Sequence, residues 1–186
     1  MIKRHFLLFA AGIAMATPMT VNAAIVSELQ MVSPIQITYT ENSDFAEMTF
    51  SGFGVLTAPV SAFALSDLTP GCDAADFAGF PAGDIALISR SVCSYTLQAT
   101  NAYAAGASAV LIYNNEPGLI GGSLGSPFNL PVLELTQSLG QELLSTFGLQ
   151  MRVAVTDVPD TVPEPATVAL LGLGLVGLGL SRRRKQ

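Results

Sequence analysis

The sequence predicts an α/β domain in which a strand–helix–strand pattern occurs twice, and three observations carry that prediction. Asp84 to Ser89 reads as a buried strand, Ser94 to Ala105 as a helix and Ala109 to Tyr113 as a second buried strand. Pro131 to Leu135, Thr136 to Phe147 and Leu149 to Val155 repeat that order. The mean hydropathy of +0.51 is inflated by both ends, which read as targeting segments, so what lies between is the length of one ordinary domain.

The N-terminal end carries Lys3 and Arg4, an apolar run from Phe6 to Ala16, and small or modest side chains at Val21-Asn22-Ala23. That is the pattern of a secretory signal peptide over residues 1–23, cut between Ala23 and Ala24. A membrane-anchoring helix is the weaker reading because Pro18 interrupts a short run. His5 would leave with the leader.

From Ile25 to Tyr39 the chain has β character, with Ile35, Ile37 and Tyr39 alternating with Gln36, Thr38 and Thr40. Glu41 to Asp44 is a polar turn. Phe50 to Leu56 is apolar but punctuated by Gly52 and Gly54, and Thr69-Pro70-Gly71 and Phe80-Pro81-Ala82-Gly83 are turns. Short strands joined by loops are expected here. In the second half Ser94 is a candidate N-cap and Gly106 a stop for the first helix, and Leu139, Leu143 and Phe147 share a face of the second. So few residues between strand, helix and strand imply a right-handed crossover with parallel strands in each unit. Asn114 to Asn129, rich in Gly, Pro and Asn, reads as a long exposed loop between the units, with Gly121-Gly122-Ser123-Leu124-Gly125 a flexible stretch. Asp157 to Pro163 reads as a linker, its core at 158–162.

The C-terminal end has Val162-Pro163-Glu164-Pro165, an unbroken small and apolar stretch from Ala166 to Leu180, then Ser181 and Arg182-Arg183-Arg184-Lys185. Fifteen helical residues reach about 22 Å against roughly 30 Å of hydrocarbon, a marginal span. The tail cations keep the C-terminus cytoplasmic by the positive-inside bias. Residues 163–186 resemble a PEP-CTERM sorting signal, in which Pro163, Glu164, Pro165, Arg182, Arg183 and Arg184 are the motif positions. The resemblance implies a transmembrane helix that anchors the chain transiently in the inner membrane of a Gram-negative, exopolysaccharide-making bacterium. It also implies processing by an exosortase, then residence at the cell surface or in the extracellular matrix.

Removing both ends changes the charge balance sharply. All 14 Asp and Glu lie between Ala24 and Pro165, where Arg90 and Arg152 are the remaining cations, which leaves −12. No nucleic acid is expected as a partner for such a surface. The acidity suits either solubility or binding of divalent cations, and solubility is favoured because no Asp-x-Asp-x-Asp-Gly loop is present and Asp73 and Asp76 are the nearest thing to a cluster. No metal and no cofactor are expected. Cys72 and Cys93, in an exported chain, read as a disulfide by default; a metal pair or a nucleophilic thiol would need partners, and the segment has no histidine.

Without histidine or lysine, Ser-His-Asp, Cys-His and Ser-Lys arrangements cannot be assembled in this segment, and a catalytic zinc site lacks its usual ligands. No catalytic residue is therefore assigned. A glycosidase-like carboxylate pair remains open, because fourteen acids offer many pairs.

A second resemblance covers about Glu28 to Asp157. Gly83-Asp84-Ile85-Ala86-Leu87-Ile88, Arg90, Cys93, Tyr95, Asn101-Ala102, Ala105-Gly106-Ala107 and Val110 to Asn115 look like the central motif of protease-associated (PA) domains. Leu130-Pro131-Val132-Leu133, Gly140 and Leu143-Leu144 fit its downstream half. Ser91 stands where the family often has Gly, and Gln98 where it often has Lys. The resemblance implies a barrel- or sandwich-like mixed sheet with flanking helices over residues 24–157, and an accessory rather than catalytic role. A noncatalytic module contacting a secreted protease, a peptide or an exopolysaccharide is expected, through the loop residues Asn114, Asn115, Glu116, Gly121, Gly122 and Ser123 and the edge of the parallel sheet. A structural matrix component and a small carboxylate-dyad hydrolase are the alternatives.

Overall fold

Buried, unalternating runs such as Ile85-Ala86-Leu87-Ile88 suit strands covered on both faces, and that is how they fold. The computed structural model describes residues 23–63, 68–159 and position 171. Its strands are β1 (Ala23–Ser33), β2 (Ile37–Thr38), β3 (Phe45–Glu47), β4 (Gly54–Ala62), β5 (Ile85–Ser89), β6 (Ala109–Tyr113), β7 (Val132–Leu135) and β8 (Gln150–Pro159). They form one sheet in the order β2-β1-β8-β4-β5-β6-β7-β3, curled into a half-barrel. Helices α1 (Tyr95–Ala104) and α2 (Gln137–Ser145) flank it.

Inside the curl, Ile85, Leu87, Leu111, Leu133 and Leu135 meet Leu29 and Met31 of β1, Met151, Val153 and Val155 of β8, and Leu139 and Leu143 of α2. On the other face, Ala86, Ile88, Val110, Ile112 and Val132 meet Ala99 and Ala102 of α1. Each helix has an N-cap hydroxyl: Ser94 Oγ accepts from Leu97 N at 3.2 Å and Thr136 Oγ1 from Leu139 N at 3.3 Å. Gly106 stands at φ +95, and a Cβ there would lie 2.8 Å from that of Ala82, so only glycine ends α1 this way.

β4 joins the two parts of the sheet. Gly54 to Pro59 pair antiparallel with Val155 to Gln150, and Val60 to Ala62 pair parallel with Ile85 to Leu87. Pro59, which has no N–H to donate, stands where the partner changes.

Several expectations are corrected. The second strand–helix–strand segment is not a parallel crossover: β8 pairs antiparallel with β4 and lies far from β7 in the sheet. The edge of the parallel sheet is not free either, because β3 pairs antiparallel with β7. Phe147 does not share the apolar face of α2. The helix ends at Ser145, where Ser145 and Thr146 hydroxyls both donate to Glu142 O, and Phe147 is 94% exposed. The β segment from Ile25 to Tyr39 is broken at the cis Ser33-Pro34 bond, leaving Ile35 exposed. The strands of the first half are not all short, since β1 has 11 residues and β4 has 9. β8 continues to Pro159, past the residue where the linker was expected to begin. The leader before Ala23, the Pro163-Glu164-Pro165 motif and Arg182 to Arg184 lie outside the described residues; Ala23 and Ala24 open β1.

Candidate functional site

The segment after β6 follows the C-terminal end of a parallel strand, the position at which α/β folds usually present ligands. Asn114 itself is buried. Its Nδ2 donates to Gly118 O at 2.9 Å and its Oδ1 accepts from Glu116 N at 3.1 Å, closing 114–118 into a turn. From the first turn of α2, Gln137 Nε2 donates to Asn115 O at 2.7 Å. Asn115, Glu116, Pro117 and Gly118 remain exposed as a rigid tip.

The next stretch is the opposite of flexible. Gly121 N and Gly122 N donate to the two carboxylate oxygens of Glu134, at 3.0 and 2.8 Å. Glu134 is 2% exposed, in the middle of β7. A buried carboxylate is tolerable only when its oxygens are satisfied, and two backbone amides are a strong, charge-assisted way to do so. The double glycine is therefore a cradle, though for an internal anion, and the expectation of a loose loop fails for that reason. A Cβ on Gly122 would fall 2.0 Å from Met48 Cε, so this residue is packed and not a surface contact. Thr49 N donates to Gly122 O at 3.1 Å, Leu124 N to Thr49 O at 3.0 Å, and Thr96 Oγ1 to Leu124 O at 2.6 Å. Leu124 is buried, leaving Ser123 and Gly125 to Pro127 exposed. Of the six expected contact residues, the structure thus offers Asn115, Glu116, Gly121 and Ser123 to solvent and withholds Asn114 and Gly122. Glu134 was not anticipated, although a lone acid in Val132-Leu133-Glu134-Leu135 is a visible signal.

Beside this cradle sit the PA motif residues. The Arg90 guanidinium lies 4.0 Å above the Tyr95 ring and donates to Cys93 O. Cys72 and Cys93 form a disulfide that ties the Thr69–Cys72 turn to the entry of α1. Gln98, fully buried, donates through Nε2 to Pro70 O at 2.7 Å and Ser89 O at 2.8 Å, and Asn101 Nδ2 donates to Gly71 O at 3.0 Å. These polar groups tie α1 to the Thr69–Gly71 turn and to the end of β5, a holding role rather than a chemical one. Asp73 and Asp76 likewise serve a turn, Asp73 N donating to Asp76 Oδ2 at 3.1 Å. Among carboxylates that sense one another, Glu47 has its pKa raised first by burial, then by the charge of Glu41. Among the described residues no three His, Cys, Asp or Glu side chains converge as a metal-binding group.

A half-barrel with one crossover helix outside it and a second helix packed against its inner core defines a mixed α/β domain. Residues 56–143 match the model of the PA domain and residues 161–185 that of the PEP-CTERM protein-sorting motif, so the chain is a PEP-CTERM protein carrying a PA domain. It is 36% identical over 139 residues to an aminopeptidase of Pseudomonas aeruginosa, covering 68% of this chain and 26% of that one. It is 33% identical over 109 residues to a probable leucine aminopeptidase 2 of Aspergillus fumigatus, covering 56% and 21%. Among solved structures, an aminopeptidase from Aneurinibacillus sp. strain AM-1 superposes with TM-score 0.58 and 23% identity over 74% of this chain and 34% of that one. A subtilisin-like protease from Pseudoalteromonas sp. AS-11 superposes with TM-score 0.57 and 19% identity over 76% and 35%. These likenesses establish the fold. The chain spans about a quarter of the P. aeruginosa aminopeptidase. The sorting motif implies export and a C-terminal membrane-anchored signal, consistent with exosortase processing.

Proposed function

We propose that this protein is a noncatalytic interaction module, released to the cell surface or exopolysaccharide matrix after exosortase cleavage near Pro163 to Pro165, which contacts a secreted protease, peptide or glycan through the exposed Asn115–Gly118 tip and the exposed Gly125–Pro127 turn. One observation carries the reading: the PA-domain match over residues 56–143 includes a solvent-exposed tip, Asn115–Gly118, whose backbone is held by side-chain hydrogen bonds. A tip fixed by Asn114, Gln137 and, further along, Glu134 loses little entropy on binding, which favours a contact surface over a tolerated loop.

The test is a pull-down of the exported form against secreted proteases and purified exopolysaccharide, with Asn115 to Gly118 replaced by Gly-Ser-Gly-Ser. Loss of capture with an unchanged melting temperature supports the reading. Undiminished capture removes the tip from it, and matrix retention with no saturable partner favours a structural component.

A further inference from the structure

Large apolar side chains stand exposed at one end of the β1, β8 and β4 strands. Phe53 is 55% exposed, Val55 57%, Ile25 50%, Val26 40% and Val158 45%. Strand order gathers them: β8 lies between β1 and β4, Gly54 is opposite Val155, and the Thr156 hydroxyl donates to Val26 O. The start of β1, the end of β8 and the start of β4 therefore share one end of the sheet. A monomeric domain rarely groups such side chains without a use for them.

Phe50 adds a second observation. It stands at φ +71, which a bulky side chain rarely adopts, yet its ring is 46% exposed, so the core gains little from the strain. Hydrogen bonds hold the backbone there: Ser51 N donates to Met48 O at 2.8 Å and Phe128 N to Phe50 O at 3.0 Å. The fold presents this ring to solvent three residues before Phe53.

The occupant is indicated by where the chain goes next. β8 ends at Pro159 and the apolar run begins at Ala166, so six residues, at most about 20 Å when extended, join this end of the sheet to that run. Resting on the reading of that run as a membrane anchor, we infer that this end of the domain is a lipid-facing surface, with Phe50, Phe53, Val55 and Val26 in the headgroup–acyl boundary while the chain is anchored. The contact is apolar in kind. Asp157 adds negative charge there, and Arg152, further back along β8 opposite Thr57, is already paired with Glu28, so anionic headgroups are not what it recognises. Because the tether supplies the local concentration, cutting it frees the domain from a contact too weak to hold alone.

The chain contains no tryptophan, so a single Trp reports its own site. Phe53→Trp and Val55→Trp, each in the full chain reconstituted into phosphatidylcholine–phosphatidylethanolamine vesicles, are compared with Phe147→Trp, which lies beyond the other end of the β4–β8 ladder. The expected result is a blue-shifted emission and at least twofold stronger quenching by brominated phosphatidylcholine for the first two than for Phe147→Trp. Two reporters guard against one of them misfolding. Co-flotation of the chain with equal, weak quenching at all three sites overturns the inference and leaves the anchor standing. Shielding that grows with protein concentration without lipid quenching also overturns it, in favour of a second copy. Failure to co-float overturns both the anchor reading and this one.

Discussion

The segments β5–α1–β6 and β7–α2–β8 share one local grammar and end in different places. Each has a buried strand, a hydroxyl N-cap, a helix of nine or ten residues and a further strand. α1 returns the chain to a parallel neighbour, whereas α2 carries it to β8, between β1 and β4. The edge of β7 that a crossover would need is taken by β3, three residues that pair with it from Phe45 to Glu47. Their attachments differ as well. α1 offers small Ala99 and Ala102 and is held by the disulfide, Gln98 and Asn101, while α2 buries Leu139 and Leu143 and presses Gly140 against Tyr113, where a Cβ would come within 2.2 Å of the ring. A helix that stays close needs tethers and little apolar area; one that must bridge two parts of a sheet needs the area.

That contrast can be broken in three ways. Leu143→Ala should have the largest effect, a loss of about 2–5 kcal/mol by urea unfolding, because the residue is buried in the inner core through which α2 is attached. A loss under about 1 kcal/mol would mean that α2 is a lid and not a bridge. Replacing both Cys72 and Cys93 by Ala should cost about 3 kcal/mol for a loop of separation 21, and hydrogen exchange should rise in α1 before α2. Equal exchange in both helices would refute the division into tethered and bridging helices. Glu47→Gln should have the smallest effect and acts on the strand that covers β7. The raised folded pKa of Glu47 means its contribution is fully present below the ordinary value of 4.5 and is lost as pH rises through the folded value. The variant should therefore match the parent near pH 4 and melt higher at pH 7, by about a few degrees at most. The reverse ordering would show that folding favours the Glu47 carboxylate in its charged form despite burial.

Much of the first segment is legible in the chain. Ser94 caps α1 and Gly106 ends it because these signals act within a few residues, and Asp84 to Ser89 has too few polar groups to be anything but a buried strand. The second segment carries the same signals and misleads, because nothing near Leu149 to Val155 reveals that β4 is its partner. β4 could not be read whole either, since Pro59 argues against a strand interior and is accepted only where the strand exchanges neighbours. At the candidate site, Asn115 and Glu116 are where a Gly- and Asn-rich loop puts them. Gly122 is not, because its burial depends on Met48 and on a carboxylate twelve residues away.

The chain alone determined that its C-terminal segment is a sorting address, that residues 24–165 hold no histidine or lysine, and that Arg90, Cys93 and Tyr95 belong to a PA motif. Composition, spacing and short-range caps are local properties, and a linear string displays them. The tertiary structure decided which strands become neighbours, turned a glycine-rich loop into the clamp of a buried acid, and collected Phe50, Phe53 and Val55 at the end where the chain departs toward its anchor. Those outcomes depend on which surfaces compete for the same edge or the same buried space, and that competition exists only once the chain has closed on itself.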